Sequence, residues 1–385
     1  MAWRWVTAGE SHGPGLVGIV EGVPAGVPLT RDMIDRDLAR RQKGYGRGGR
    51  MLIEKDQVVV MGGIRHGATL GSPVALIVKN RDYELHWQES MSPDPGQPDR
   101  QVTRPRPGHA DLVGGIKYGH RDLRNVLERA SARETTMRVA LGAVGRAFLE
   151  SLGIRVVGHV VRIGDVVVPE RAYALEDFSR AEESLVRVID PGPEAAMKAA
   201  IDAAKAAGDT LGGQFEIQVF GLPVGLGSYV QWDRRLEADM ARAMLSIPAM
   251  KGVEVGTGFR QTEQPGSHVH DSIHWSEEGG FHRLTNRAGG LEGGITTGLP
   301  LVVRVGMKPL STLMTPLDSV DIATKESFKA QVERSDVTAV PPAVVVGEAM
   351  ACHVVAAAVL EKFGGDSLGE VRERVAAWRE GARRF

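Results

Sequence analysis

Residues that can transfer protons or bind anions are concentrated between positions 104 and 138. His109 and Asp111 follow a proline-stiffened stretch, and Arg129 and Arg133 lie four residues apart in a predicted helix. On a continuous helix this spacing places both guanidinium groups on one face, where they can bind one anion together. The competing interpretation is a surface helix whose arginines are only solvated, and these residues alone favour neither.

A second histidine lies in a turn between two predicted strands. Residues 9–13 read GESHG, which formally matches the G-x-S-x-G elbow that carries the nucleophile of hydrolases. That elbow needs a helix after it, whereas Pro14, Gly15 and a strand-like run follow here. His12 is therefore predicted at a strand-to-strand turn, exposed enough to meet a ligand. A purely structural role is the alternative for a lone turn histidine.

A basic, glycine-rich loop follows the first predicted helix. Residues 40–50 read RRQKGYGRGGR, and residues 36–50 contain six basic side chains and one acidic side chain. Several guanidinium groups on such a loop can close on one polyanionic small molecule, which is the interpretation we favour. An RNA-binding tract and a solvated loop compete with it, although arginine-glycine tracts that bind RNA are typically long and disordered.

Other polar clusters lie nearer the C-terminus. The turn 308–312 combines a lysine with two hydroxyls and predicts a phosphate seat, and residues 333–338 place Arg334 two residues before Asp336. Histidines at 268, 270 and 274 resemble metal ligands, but their spacing is not diagnostic of zinc, so no metal site is predicted.

The composition restricts the class of protein. The chain has 385 residues, a formal net charge of −1 and one cysteine, Cys352. The small net charge gives no global attraction to nucleic acid or membrane, and one cysteine excludes an intramolecular disulfide. The N-terminus lacks the apolar run of a signal peptide. We expect a cytosolic protein with no nucleic-acid or membrane partner.

Hydrophobic patterns predict the elements that position these side chains. An apolar stripe over residues 137–152 predicts a helix that ends near Gly153, and alternation predicts a strand over residues 213–220. Residues 343–363 are apolar nearly all round and predict a buried helix, since charged side chains interrupt them. Residues 92–107 predict an irregular active-site loop, and residues 164–211 a peripheral insertion.

A short repeat indicates two similar halves. GVPAG at residues 22–26 resembles GLPVG at residues 221–225, and a helical stretch follows each. The parallel is weak, but it predicts two related halves packed as one domain. Taken together, the histidines, the arginines and Asp336 fit an elimination that expels phosphate, because arginines stabilise a leaving dianion and a histidine can protonate it.

Five motifs stand out along the chain: GESHG at 9–13, RRQKGYGRGGR at 40–50, RPGHADL at 106–112, ERASARETTMR at 128–138 and ERSDVTAVP at 333–341. Together they resemble the bacterial type of one enzyme family, chorismate synthase. The resemblance covers nearly the whole chain in the right order. It implies an α+β fold, a β-α-β sandwich with internal pseudo-symmetric halves, formed by residues 1–385 as a single domain that assembles as a homotetramer.

The resemblance also implies an activity. Members of this family convert 5-enolpyruvylshikimate 3-phosphate to chorismate and phosphate by a 1,4-anti elimination, the last step of the shikimate pathway of aromatic amino acid biosynthesis. They require reduced FMN without net redox change. A separate flavin reductase using NADPH would supply the reduced flavin, unless the protein is bifunctional and reduces its own flavin.

Residue roles follow from the matched motifs. His12 would protonate the leaving phosphate, His109 would protonate or hydrogen-bond the flavin, and Asp336 would accept the C6 proton through flavin N5; the two histidines could exchange roles. The residues implied to bind substrate are Arg41, Arg47, Arg106 and Arg133. The residues implied to contact flavin are Arg129, Ala130, Ser131, Pro248, Ala249, Gly293, Lys308, Pro309, Leu310, Ser311, Thr312 and Arg334. Ala130 and Pro248 depart from the serine and asparagine that many relatives have.

Overall fold

The computed structural model describes residues 2–48, 55–97, 99–277, 279–333 and 335–385. The strands are β1 (Arg4–Ala8), β2 (Gly15–Glu21), β3 (Val58–Gly62), β4 (Ile64–Arg65), β5 (Ala68–Thr69), β6 (Val74–Lys79), β7 (Arg155–Ile163), β8 (Val166–Val167), β9 (Gly213–Phe220), β10 (Met250–Val255), β11 (Ile273–Ser276), β12 (Gly280–Arg283), β13 (Leu291–Glu292), β14 (Ile295–Thr296), β15 (Leu301–Met307), β16 (Asp318–Val320) and β17 (Ser327–Lys329). The α-helices are α1 (Arg31–Gln42), α2 (Asp111–Tyr118), α3 (Arg124–Ala130), α4 (Thr135–Glu150), α5 (Ser179–Glu183), α6 (Glu194–Ala206), α7 (Leu236–Leu245), α8 (Gly266–Val269), α9 (Val340–Phe363) and α10 (Leu368–Arg384).

Two antiparallel sheets enclose a layer of helices. The first sheet has the strand order β1-β2-β6-β3 and the second β10-β15-β9-β7-β8. Helix α4 packs on β2 and β6, helix α9 packs on β7 and β9, and the two helices pack on each other. The predicted α+β sandwich, with helices between two sheets, is therefore confirmed.

The chain repeats one plan twice. The order β1-β2-α1-β3-β6-α4 returns as β7-β9-α7-β10-β15-α9, and corresponding strands have corresponding neighbours. The two GxPxG turns are equivalent in detail: Thr69 Oγ1 donates to Pro24 O (2.6 Å), and Thr296 Oγ1 donates to Pro223 O (2.7 Å). Each hydroxyl also accepts from the N–H three residues after that proline, at 3.0 and 2.8 Å. The predicted halves are confirmed.

The central helices pack closely because small residues face each other. A Cβ added at Gly142 of α4 would lie 2.5 Å from the Cβ of Ala349 in α9, so only glycine allows this approach. Helix α9 is long and apolar enough to cross a membrane, but 89% of its most apolar 18-residue window is buried inside the fold. The prediction of a buried core helix is confirmed.

Local sequence signals mark several element boundaries correctly. Thr30 caps α1 by accepting from Met33 N, and Ser367 with Glu370 forms a capping box at the start of α10. Gly153, just beyond α4, has a φ of +75°, which glycine tolerates best. Strand β9 has the predicted bounds, residues 213–220.

The outer faces of the two sheets differ. Residues between β7 and β9 cover the second sheet, where Tyr173, Phe178 and Ile189 form a small core against Val157 and Phe220. The first sheet carries exposed apolar side chains on its outer face. These are Val6, Val17, Ile19, Val59 and Met61. The insertion between β7 and β9 therefore covers the outer face of the second sheet, whereas these side chains on the outer face of the first sheet are exposed to solvent.

Candidate active site

A cavity of about 540 Å³ lies where α4 and α9 begin, with walls from both halves. The N–H groups at a helix N-terminus and the helix dipole favour anions, so two such termini at one cavity suit a multiply anionic ligand. The residues of the predicted site that line the cavity are His12, Arg41, Arg47, Arg106, His109, Ala130, Ser131, Arg133, Pro248, Ala249, Lys308, Pro309, Leu310, Ser311, Thr312 and Asp336.

Three residues of the predicted site are placed differently. Arg129 donates to Gly9 O (2.9 Å) and to Thr7 O (3.0 Å), so its guanidinium ties the turn before His12 to α3. Gly293 lies in the turn between β13 and β14 and is not part of the cavity wall. Arg334 lies outside the described residues.

The expectation that Arg129 and Arg133 share a helix face is wrong. Helix α3 ends at Ala130, Ser131 has extended backbone angles (φ −64°, ψ 144°), and α4 begins only at Thr135. The break turns Arg133 away from Arg129, and its Nη1 donates to Asp56 Oδ1 (2.7 Å). Local spacing could not reveal this break, because residues 128–138 contain no glycine or proline.

His12 is fixed by two neighbours. Its Nδ1 lies 2.9 and 3.0 Å from the carboxylate oxygens of Glu128, and its backbone N donates to Glu128 Oε2 (2.8 Å). Its ring stacks on Trp87, with centroids 4.0 Å apart and planes inclined by 24°. Burial alone would raise the pKa of Glu128, but the hydrogen bonds from His12 and the charge of Arg124 lower it. Glu128 is therefore a buried carboxylate.

His109 has a similar arrangement. Its Nδ1 lies 2.5 Å from Asp111 Oδ1, and Arg106 Nε donates to Asp111 Oδ2 (2.8 Å). Burial opposes ionisation of Asp111, but the hydrogen bonds from His109 and Arg106 and the charge of Arg106 hold its pKa well below its usual range. The cavity thus contains two imidazoles, each paired with a buried carboxylate that can orient it.

Arginines crowd one wall of the cavity. Arg41 is buried and donates through Nη2 to Ala132 O and Thr135 Oγ1, both at 2.9 Å. Burial and the nearby charges of Arg47 and Arg133 outweigh Asp56 and lower the pKa of Arg41 to about 10. Such mutual repulsion is relieved when an anion enters, so this wall favours a phosphate or carboxylate group.

The basic loop of residues 40–50, called the arginine loop below, contacts the second half through Arg47 and Gly48. Arg47 Nη1 lies 3.1 Å from Asp336 Oδ2, and Gly48 N donates to Asp336 Oδ1 (2.6 Å). Tyr45 binds the insertion, since its N donates to Leu185 O (2.8 Å) and its hydroxyl donates to Asp202 Oδ2 (2.9 Å). The insertion, to which the sequence assigned no chemistry, therefore supports the loop that carries Arg47.

Another part of the cavity wall suits a planar cofactor with a phosphate. Its apolar part comes from residues 247–250 together with Met307, Leu310 and Val346. The ammonium group of Lys308 hydrogen-bonds to Gly108 O, and burial, with the charge of Lys251 nearby, lowers the pKa of Lys308. An apolar wall beside a lysine and two hydroxyls can hold an aromatic ring system and an attached phosphate.

Sequence reasoning missed several residues that line this cavity or contact its histidines. Ser11 Oγ lies 3.1 Å from Ser131 Oγ, although Ser11 stood inside the GESHG motif that gave His12. Glu128 stood at the start of another quoted motif, and only the fold brings it to His12. Trp87 lay in no recognised pattern, and its indole Nε1 donates to the buried carboxylate of Asp82 (3.2 Å).

The histidine-rich segment 268–274 forms no metal site. Among the residues that the structure describes, no group of three or more His, Cys, Asp and Glu side chains is placed to hold a metal ion. Asp271 instead accepts from the backbone N of Arg287 and of Ala288, both at 2.9 Å, and so orders a nearby turn.

Comparisons with known proteins agree with this geometry. A family model described as chorismate synthase matches residues 3–360. The chorismate synthase of Geobacillus kaustophilus (strain HTA426) is 57% identical over 388 aligned positions, which cover 99% of this chain and 100% of the relative. That of Enterococcus faecalis (strain ATCC 700802 / V583) is 56% identical over 382 positions, 98% of each chain. A crystal structure of a chorismate synthase matches with a TM-score of 0.82 and 42% identity over 100% of this chain and 99% of that one.

Proposed function

The chain belongs to the chorismate synthase family of carbon–oxygen lyases that act on phosphates, and on that basis we propose that it converts 5-enolpyruvylshikimate 3-phosphate to chorismate and phosphate. One observation carries the proposal: His12, His109 and Asp336 line the same cavity as Arg41, Arg47, Arg106 and Arg133. A substrate with a phosphate and two carboxylates matches that density of guanidinium groups.

The chain's own groups fit a 1,4-anti elimination. In this reaction the bond between C3 and the phosphate oxygen breaks, and a proton is lost from C6. We assign His12 to protonate the departing phosphate and Asp336 to take up the C6 proton. Arg41, Arg47, Arg106 and Arg133 bind the substrate's anionic groups, and they stabilise the charge that develops on the leaving phosphate.

We propose that the cofactor is reduced FMN, held by Ala130, Ser131, Pro248 and Ala249, residues 308–312, and His109. Bound there, reduced FMN would supply an electron transiently and recover it, which would leave the reaction without net redox change. The apolar wall and Lys308 fit its ring system and phosphate, respectively. Arg129 and Gly293 do not line the cavity, so any contribution to binding is indirect or comes through another subunit.

The direct test mixes the pure protein anaerobically with 5-enolpyruvylshikimate 3-phosphate and FMN. The flavin is either oxidised or reduced with dithionite, and chorismate absorbance and free phosphate are followed together. We expect equal amounts of both products, and only with reduced FMN. A folded protein that gives no product in either redox state would contradict the lyase and leave anion binding as the role of the arginine loop.

Single substitutions test the assigned roles. His12→Ala, His109→Ala and Asp336→Asn are each expected to lower kcat by about 10²–10⁴-fold, the usual contribution of a general acid or base. If the two histidine variants both eliminate phosphate at the wild-type rate, the proton-transfer assignments are wrong. Saturating the protein with reduced FMN in each assay separates loss of chemistry from loss of flavin.

The source of reduced flavin has its own test. We propose that a separate flavin reductase supplies it from NADPH. Turnover by the pure protein in air, with NADPH and FMN as the only reductant and flavin, would instead show that the protein reduces its own flavin.

We further propose a single-domain cytoplasmic protein that forms a homotetramer and binds neither nucleic acid nor membrane. The buried core is continuous across both halves, and the exposed apolar face of the first sheet provides a surface for subunit contact. Light scattering after gel filtration should give four times the chain mass of 41.4 kDa. Met61→Glu on that face should reduce the mass, and Val167→Glu at the edge of the second sheet should not.

A further inference from the structure

The best-defined group next to the cavity to which no role has been assigned is Glu128. This residue is 2% exposed and contacts His12 from the last turns of α3. It accepts from the backbone N and approaches the ring Nδ1 of the same histidine, and Arg124 Nη1 donates to it (3.2 Å). Ser11 N also donates to the backbone O of Glu128 (2.9 Å), so several bonds fasten the histidine turn to this one residue.

We propose that Glu128 is a positioning residue for His12: it fixes the imidazole with Nδ1 protonated and leaves proton transfer to Nε2. Trp87 holds the plane of the ring by stacking on it. The inference rests on the proposed function, because it assumes that His12 delivers a proton to the departing phosphate.

The chemistry of the pair follows from hydrogen-bond rules. An ionised carboxylate only accepts hydrogen bonds, so the ring nitrogen beside it must carry the hydrogen. When Nε2 gives its proton to the phosphate oxygen, the ring is left neutral with the hydrogen on Nδ1, still donating to Glu128. The ring therefore passes through the transfer without turning or changing partner, and the carboxylate offsets the positive charge that the ring carries beforehand.

A purely structural role is the competing explanation. Glu128 also pairs with Arg124, and a buried carboxylate that joins a turn to a helix could serve stability alone. The two explanations differ in one respect. A positioning residue acts only through His12, whereas a structural residue affects the enzyme whether or not the imidazole is present.

The test is a double-mutant cycle with reduced FMN and saturating substrate. We expect Glu128→Gln to lower kcat by at least about tenfold while KM changes by less than about threefold, because orientation of a proton donor acts on chemistry rather than binding. In the His12→Ala background the same substitution should have no further effect on kcat. Equal losses in both backgrounds, or no loss in the wild-type background, would overturn the proposal.

A matched control is available in the second half. Glu216 is also a buried carboxylate beside a histidine, with Oε1 3.6 Å from His159 Nε2, but His159, unlike His12, does not line the cavity. Glu216→Gln should leave kcat and KM unchanged in both backgrounds. If it lowers kcat as Glu128→Gln does, the effect reports a damaged fold and not orientation of His12.

A second measurement does not depend on the elimination at all. Nitrogen-15 labelling of histidine allows the His12 ring signals to be assigned by their loss in His12→Ala. In the resting wild-type protein the Nδ1 of His12 should carry a hydrogen. A ring protonated on Nε2 alone would overturn the proposal even if the lyase is confirmed, and a protonated Nδ1 would support it even if another reaction is found.

Discussion

The two halves of the molecule share a scaffold but differ in the segments that connect its elements. Fifteen residues of sequence, 43–57, separate α1 from β3 and include Arg47, whereas only residues 246–249 separate α7 from β10. Similarly, β1 and β2 are joined by the short turn of His12, and β7 and β9 by the insertion. The repeated elements form the core, and in the first half the turn of His12 and the loop that carries Arg47 contribute to the cavity wall.

This difference assigns a distinct contribution to each half. The first half supplies both imidazoles and the arginines 41, 47, 106 and 133. The second half supplies the apolar wall, the turn 308–312 and Asp336. Since neither half contains a complete set, the cavity exists only when the two are packed together, and the buried contacts between the halves become a condition of function.

The largest expected effect concerns the ionic network that joins the halves. Glu348 of α9 accepts from Arg146 Nη2 of α4 (2.7 Å) and from Arg40 Nη2 of α1 (3.0 Å). Glu348→Ala leaves the guanidinium groups of the buried Arg146 and the partly buried Arg40 without this partner, so we expect the free energy of unfolding to fall by about 3–5 kcal/mol. Denaturant titration measures it. The double variant Arg146→Met/Glu348→Leu should lose less, because it also removes one of the buried charges.

The next effect distinguishes the covered sheet from the open one. Burial opposes ionisation of Glu216, but His159, Gln218 and Arg304 lower its pKa to about 2, from 4.5 in an unfolded chain. A lowered folded-state pKa stabilises the protein above about pH 4.5, and that stabilisation disappears as the pH falls towards 2. Wild type should therefore exceed Glu216→Gln in unfolding free energy by on the order of 3 kcal/mol at pH 7.

Measuring both proteins by denaturant titration from pH 7 to pH 3 checks the sign as well as the size. The difference between them should shrink on acidification. A difference that stays constant over this range would show that Glu216 contributes through packing and not through its charge. Val17, Ile19 and Met61 are exposed apolar side chains on the outer face of the first sheet, so Ile19→Val there should show no such pH dependence.

Equal effects are expected where the halves repeat each other. Thr69 and Thr296 are buried, and each hydroxyl bridges a proline carbonyl to a backbone N–H. Thr69→Val and Thr296→Val should each cost about 1–3 kcal/mol, because each leaves a buried carbonyl and N–H without that partner. Thermal unfolding of the two variants provides the measurement. If the two losses of unfolding free energy differ by more than the experimental error, the two turns are equivalent in backbone structure but not in energy.

The sequence predicted the scaffold better than the site. Strand β9, the cap at Thr30 and the buried helix α9 depend on local propensity and periodicity, which are readable over a few residues. The contact between His12 and Glu128 joins residues far apart in the chain, and the break at Ser131 has no local breaker residue. Motifs located the cavity residues, but only the tertiary fold determines which side chains meet.

The smallest expected effect tests whether the insertion of the second half supports the arginine loop of the first. The Tyr45 hydroxyl donates to Asp202 Oδ2 (2.9 Å), and Gly46, at φ +82°, lies against Ile201, leaving no room for a side chain. Tyr45→Phe removes one hydrogen bond at the surface, so we expect KM to rise about two- to fivefold with kcat unchanged, because the loop orders less readily around Arg47. Asp202→Ala should produce a similar rise, and the double variant should add little to either, since both act on one contact. Additive effects on KM would mean that the two residues influence the loop separately. An unchanged KM in all three variants would show that the insertion covers the second sheet without supporting the arginine loop.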